Sequence, residues 1–224
     1  MAGRVLVIDG LDGSGKATQT ALFGQRLEKE EGSRPVTVSF PDYDSPSSAL
    51  VKLYLSGQLG QADEVGAYAA ASFYACDRFI SYRQKWQAPY EAGATILCDR
   101  YVSSNLIHQM VKLPREEWDG FIRWLEDYEY GRLGLPRPQT VFYLDMDPAI
   151  SRRLISGRYQ GDESRRDIHE GNFDYLCRCH EAAAYAAKAL GWQVIPCFSG
   201  EEPLAVEEIS GAIWRTYLRQ KEVL

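Results

Sequence analysis

The chain has 224 residues, enough for one α/β domain with a full core, and carries a net charge of -6 with a pI near 5.2. An acidic surface does not displace counterions from a duplex, so no polymeric nucleic-acid partner is expected, and an anionic small molecule must be met by individual arginines. No apolar run is long enough to span a membrane and no leader pattern opens the sequence, while five cysteines without CxxC pairs read as reduced thiols; a cytoplasmic protein is expected.

In chain order, five short runs rich in apolar and β-branched residues predict strands: Arg4–Asp9, Pro35–Phe40, Ala94–Asp99, Thr140–Asp145 and Gln193–Phe198. Their near-continuous apolar character fits strands covered on both faces. Between them, helical patterns run over Lys16–Lys29, Ser47–Ser56, Asp63–Glu91, Ser104–Met110, Arg115–Arg132, Pro148–Gly157, Asn172–Leu190 and Pro203–Lys221. The alternation predicts a three-layer, doubly wound α/β sandwich around a five-stranded parallel sheet, in one domain spanning 1–224. Ligands in such sheets sit beyond the carboxyl ends of the strands, which places Asp9, Phe40, Asp99 and Asp145 around one crevice.

The first strand breaks into Gly10-Leu11-Asp12-Gly13-Ser14-Gly15-Lys16-Ala17-Thr18. Gly10, four residues, then Gly15-Lys16 is the spacing of a phosphate-binding loop: glycines let backbone N–H groups curl around phosphate oxygens and the lysine neutralises the outer ones. A nucleoside triphosphate is the expected ligand. Ala17 stands where the pattern has Ser or Thr, whose hydroxyl takes a place on Mg²⁺. Thr18 points about 100° further round the helix, so the metal must rely on carboxylates elsewhere, phosphate and water.

After the third strand comes Asp99-Arg100-Tyr101, followed by Ser104, Asn105 and Gln109. A carboxylate at a strand end beside the phosphate loop can hold Mg²⁺, an adjacent arginine can clamp a phosphate, and neutral amides and hydroxyls suit a base edge. Tyr74 and Arg78, four apart on one helix face, can stack on a base and bind its carbonyl, although a tyrosine there also serves as ordinary packing. The polar stretch at about 157–170, with Arg158, Arg165 and Arg166, is expected to form a mobile flap at the same rim, its bland alternative being a solvated connector.

The phosphate loop Gly-Leu-Asp-Gly-Ser-Gly-Lys, Phe40-Pro41, an aromatic four residues before Arg78, Asp99-Arg100-Tyr101 with Ser104, and Tyr143-Leu144-Asp145 together resemble the thymidylate kinase family of P-loop nucleoside monophosphate kinases. The resemblance implies the P-loop NTPase fold, ATP with Mg²⁺, a nucleoside monophosphate acceptor such as dTMP, and a homodimer. It places Lys16 and the loop amides on the ATP phosphates, Asp12 near the acceptor, and Tyr74 on the base. Arg78 would bind a base carbonyl or the acceptor phosphate, Arg100 the acceptor phosphate and Asp99 the metal. Ser104, Asn105 and Gln109 would line the base pocket, and because the loop lacks an arginine, Arg158, Arg165 or Arg166 would supply the transition-state charge.

Three departures stand against the pattern. Ala17 removes a hydroxyl, Asp42-Tyr43 follows Phe40-Pro41 where the family has an arginine for the acceptor phosphate, and His108 replaces a tyrosine of the nucleoside pocket. Asp42 opens a second reading, a deoxynucleoside kinase whose carboxylate takes the proton of a 5′-hydroxyl. A nucleotide-binding protein of weak catalysis is the third.

Overall fold

The computed structural model describes residues 2–61, 64–158 and 173–223. Five strands, β1 (Arg4–Gly10), β2 (Val36–Ser39), β3 (Thr95–Asp99), β4 (Thr140–Asp145) and β5 (Gln193–Pro196), form one sheet in the order β2-β3-β1-β4-β5. All four pairings are parallel. Along β1, Val5 and Val7 face one core and Leu6 and Ile8 the other, each at most 1% exposed. That two-sided burial is why the run is apolar at every position.

One face is covered by α1 (Lys16–Glu31) and α9 (Val206–Val223), with Ile150 of α7 (Pro148–Arg158), through Phe23, Leu27, Ile213 and Trp214. The other is covered by α3 (Ala67–Ser81), α5 (Ser103–His108), α6 (Trp118–Glu126) and α8 (Phe173–Leu190). Small residues on α3 and α8, among them Ala71, Ala182 and Ala186, bring these helices close to the larger Leu106 and Phe121. A short antiparallel pair, β6 (Phe198–Ser199) and β7 (Glu202–Pro203), follows β5.

The layers and strands agree with the sequence reading, and two long helices differ. The expected helix over Asp63–Glu91 is α3, a π-helical turn over Tyr82–Trp86, and α4 (Gln87–Glu91). Pro89 lacks the N–H that a continuous α-helix would direct to Lys85, and the wider turn just before it absorbs the loss. The expected helix over Arg115–Arg132 likewise ends at Glu126 and continues as a π-helical turn over Asp127–Arg132, which carries Glu129 into the interior. Between β2 and α3, a 3₁₀ turn over Pro46–Ser48 leads into α2 (Ala49–Leu55).

Phe142 is fully buried at the centre of β4, edge-on to Phe23 with ring centroids 5.5 Å apart. Phe142→Ala is expected to cost about 3–5 kcal/mol, read as a lower urea midpoint at unchanged slope. An unmoved midpoint would show that this core does not carry the sheet.

Candidate active site

β1 ends at Gly10, and the loop passes to Gly15, whose φ of 86° sets the left-handed turn before α1. A side chain on Gly10 would place its Cβ 2.8 Å from the Leu144 carbonyl oxygen, whereas around Gly15 there is open space and the dihedral alone calls for glycine. Lys16, first in α1, folds back so that Nζ donates to the carbonyls of Gly10 (3.0 Å) and Leu11 (2.7 Å), with Asp12 Oδ1 at 3.8 Å. Burial, reinforced by the positive charge of Arg100, lowers its pKa from 10.5 to about 8.

Arg100 follows β3 with φ 67°, the one positive value of a non-glycine among the described residues. Its amide donates to the Ile8 carbonyl (3.0 Å), and this unusual turn aims the guanidinium back across the phosphate loop, where it pairs with Asp12. Nη1 lies 3.1 Å from His108 Nε2, 3.5 Å from Ser104 Oγ and 3.8 Å from Asp9 Oδ1. Asp9 is fully buried and accepts from Gly10 N (2.9 Å), Ser103 Oγ (2.6 Å) and Ser104 Oγ (2.8 Å). Burial raises the pKa of Asp99, against the pull of Lys16 and Arg100. Carboxylates of Asp9, Asp12 and Asp99 thus face two cations, Lys16 and Arg100, so these five groups sum to about one negative charge.

A cleft of about 350 Å³ opens above these groups. Asp12, Gly13, Gly15, Lys16, Ala17 and Thr18 line one side, and Tyr74, Arg78, Asp99, Arg100, Ser104, Asn105, His108 and Gln109 line the other. Ser39, Phe40, Pro41 and Tyr43 close it from the end of β2. Of the remaining loop residues, Gly10 and Leu11 act through the carbonyls that hold Lys16, and Ser14 is buried beneath the turn. Asp145 does not line the cleft; it pairs with His180 Nε2 at 2.7 Å.

Two expectations change here. Arg78 is 1% exposed and forks onto Glu129 through Nε (2.7 Å) and Nη2 (2.6 Å), with Nη1 3.3 Å from the Tyr101 carbonyl. Its charge is spent on a buried carboxylate, which leaves two of its five N–H donors for a neutral acceptor and disfavours the acceptor-phosphate role. Asp42 is not among the cleft-lining residues: its carboxylate binds Lys85 Nζ at 2.5 Å, and its amide donates to Asp77 Oδ2 at 2.8 Å. Tyr43, the next residue, turns to the cleft instead.

Asn105 donates its amide hydrogens to the Ala71 carbonyl (3.1 Å) and Glu129 Oε1 (3.0 Å), which fixes the orientation of that amide. Gln109 is 1% exposed, and its Oε1 is buried without a partner among the described residues. An orphaned acceptor at the wall of a cleft suits a ligand that brings an N–H. Arg158 ends α7, and the other flap arginines, Arg165 and Arg166, lie outside the described residues, as does most of the expected flap.

Sequence reasoning missed the carboxylates that organise the site. Asp77, 1% exposed, ties the loop after β2 by accepting from Asp42 N and from Ser47 Oγ (2.5 Å). Its place beside Arg78 was the available signal. Glu129 sits in the charged run Glu126-Asp127-Tyr128-Glu129, which reads as a solvated face. Its spacing, four residues after Leu125 and seven after Ile122, continues the buried face of α6 and was the available signal.

A parallel sheet in this strand order, a glycine turn feeding a lysine into a helix start and a cleft beyond the strand ends define a nucleotide kinase of the P-loop class. A family model described as thymidylate kinase matches residues 8–204. Thymidylate kinase of Mycobacterium tuberculosis is 28% identical over 191 residues, covering 84% of this chain and 87% of that protein. That of Bifidobacterium longum is 31% identical over 157 residues, covering 69% and 72%. The fold is also that of a solved thymidylate kinase from Candida albicans, with a TM-score of 0.71 at 19% identity over 98% of this chain and 93% of that one. The chain belongs to the thymidylate kinase family.

Asp42→Asn is expected to change turnover by less than about 3-fold, because a general base at this position would be worth about 10²-fold or more. A loss of that larger size with any acceptor would place the proton-accepting group at Asp42. Lys16 is charged below about pH 8, and phosphate favours its charged form. ATP binding is therefore expected to take up a proton above that pH, seen as a buffer-dependent heat in titration calorimetry; a heat independent of buffer would remove Lys16 from the phosphate site.

Proposed function

We propose that the chain transfers the γ-phosphate of ATP to a nucleoside monophosphate, with dTMP the acceptor and dTDP the product. The observation that carries this is Arg100: it spans the gap between the phosphate loop and the base-side helix, touching Asp12 on one side and Ser104 and His108 on the other. A guanidinium at that crossing suits an acceptor that already carries a phosphate.

In this reading Lys16 and the loop N–H groups hold the donor phosphates, while Arg100 leaves Asp12 to grip the acceptor phosphate. Tyr74 stacks on the base, the two remaining Arg78 donors address its carbonyl and Gln109 Oε1 accepts from its ring N–H. An acceptor phosphate is nucleophilic at neutral pH, so the site has to align it and stabilise dispersed negative charge rather than remove a proton. The five charged groups beneath the cleft do not supply that excess positive charge. It is left to Mg²⁺ and to Arg158, Arg165 and Arg166.

The described residues contain no cluster of three His, Cys, Asp or Glu for a metal. That fits a cation taking most of its ligands from phosphate and water, with Asp99 and Asp12 as the carboxylates at the cleft wall. Mg²⁺ bound there supplies neutralisation of the phosphate charge. The same reading includes a homodimer and a cytoplasmic setting, in keeping with five free thiols and with the lack of any helix, among the described residues, long and apolar enough to cross a membrane.

The deciding assay follows ADP release from ATP and Mg²⁺ with dTMP and thymidine side by side. Turnover with dTMP and none with thymidine is the expected result. Thymidine turnover would establish the nucleoside kinase reading, and silence with all common nucleosides and their monophosphates would establish a binding protein.

A further inference from the structure

A second cavity, of about 190 Å³, lies at the opposite rim of the sheet, where β4 and β5 begin. It is separated from the first by α5. Ser104, Asn105 and His108 of that helix line the active cleft, whereas Ser103 and Leu106, with Val102 just before it, line the second cavity. The same helix therefore forms a wall of both.

The chemistry of the second cavity is distinct. Tyr130 and Trp192 give it aromatic walls, and Gln139, Gln193 and Gln220 bring primary amides to it. Its arginine, Arg137, is engaged: Nη1 binds Glu126 at 2.7 Å, and the guanidinium lies 4.5 Å over the Tyr130 ring. A phosphate would have to break that pair. The volume is below the roughly 300–1,000 Å³ of sites for drug-sized ligands, so the space suits a ligand no larger than one base with its sugar. With the Tyr130 ring already covered by Arg137 and Gln193 Nε2 donating to the Gly191 carbonyl at 3.2 Å, Trp192 is the ring left to stack on such a ligand, and the Gln139 and Gln220 amides pair with an edge carrying adjacent donor and acceptor.

We infer that this cavity is a regulatory site for an uncharged nucleobase or nucleoside, coupled to the active cleft through α5. The coupling is physical. Ser103, at the cavity wall, donates to Asp9 Oδ2 at 2.6 Å, and Asp9 also holds Ser104 and stands 3.8 Å from Arg100. Tyr130 is the neighbour of Glu129, which fixes Arg78 and Asn105. A ring seated in the cavity presses on the backs of the two elements that aim the cleft's polar groups, and its free-energy preference for one arrangement of them appears as changed acceptor affinity. This coupling rests on the monophosphate-kinase reading, whereas the binding does not.

Trp192 is the cavity's own reporter, since none of the residues lining the active cleft is a tryptophan. The test titrates thymidine and adenosine separately into the full-length protein, with ADP and dTMP present at saturation, and follows tryptophan fluorescence. A saturable change with a Kd of about 1 mM or tighter is expected, absent from Trp192→Phe and lost in Gln220→Phe, which caps the cavity from α9. Gln220→Phe should leave turnover without nucleoside unchanged. In the wild type an occupied cavity should shift the KM for the acceptor by about 3-fold or more, and the capped variant should not respond. No saturable change up to about 10 mM, or one that survives the cap, would overturn the site. Binding without any shift in KM would overturn the coupling. Because the fluorescence measurement needs no turnover, loss of the kinase reading would show in the ADP-release assay and leave the binding result standing.

Discussion

A carboxylate with no contact to solvent sits at the carboxyl end of the central strand, and the site is arranged around keeping it satisfied. Asp9 accepts from one backbone N–H and two serine hydroxyls, with a guanidinium within 4 Å. These four groups come from three parts of the machinery: the first turn of the phosphate loop, the start of α5, which supplies both serines, and Arg100. A buried charge is tolerated only when its lone pairs are used. The demand of one carboxylate therefore draws the donor and acceptor sides of the cleft to a common point, and the left-handed conformation of Arg100 is what lets a residue directly after a strand reach back to meet it.

Two more buried carboxylates repeat the device further out. Glu129 gathers Arg78 from α3 and Asn105 from α5, and Asp77 gathers the loop after β2. In each case a side chain that could have met ligand is oriented by an internal partner first. The orientation comes from hydrogen bonds between elements that apolar packing has already brought together, so the aromatic and alanine-rich layer beneath α3, α5 and α8 sets the distances and the carboxylates set the angles.

Much of this was legible in the sequence because it depends on local pattern. The β1 run announces two-sided burial, the Gly10-to-Lys16 spacing announces the turn, and the strand–helix alternation announces the sheet. What stayed hidden depends on tertiary context. Glu129 reads as surface because it is a carboxylate in a charged run, although its spacing after Ile122 and Leu125 continues the buried face of the helix. Asp42 reads as a possible base because it is a carboxylate just after the second strand, yet Lys85, forty-three residues on, claims it. Helical spacing puts Arg78 at the cleft, where the structure has it, but cannot show that Glu129, fifty-one residues on, neutralises its charge.

The closed pairing of Lys16 with two carbonyls and of Arg100 with Asp12 has a consequence for selectivity among anions. A small singly or doubly charged ion can displace only one of these contacts at a time, and each displacement gives up a formed bond for a new one of similar strength. In the proposed reading the donor phosphates release Lys16 and the acceptor phosphate releases Arg100, so opening both pairings takes two ligands. Release of both paired cations is thereby tied to assembly of the complete reacting pair rather than to the total anion around the protein.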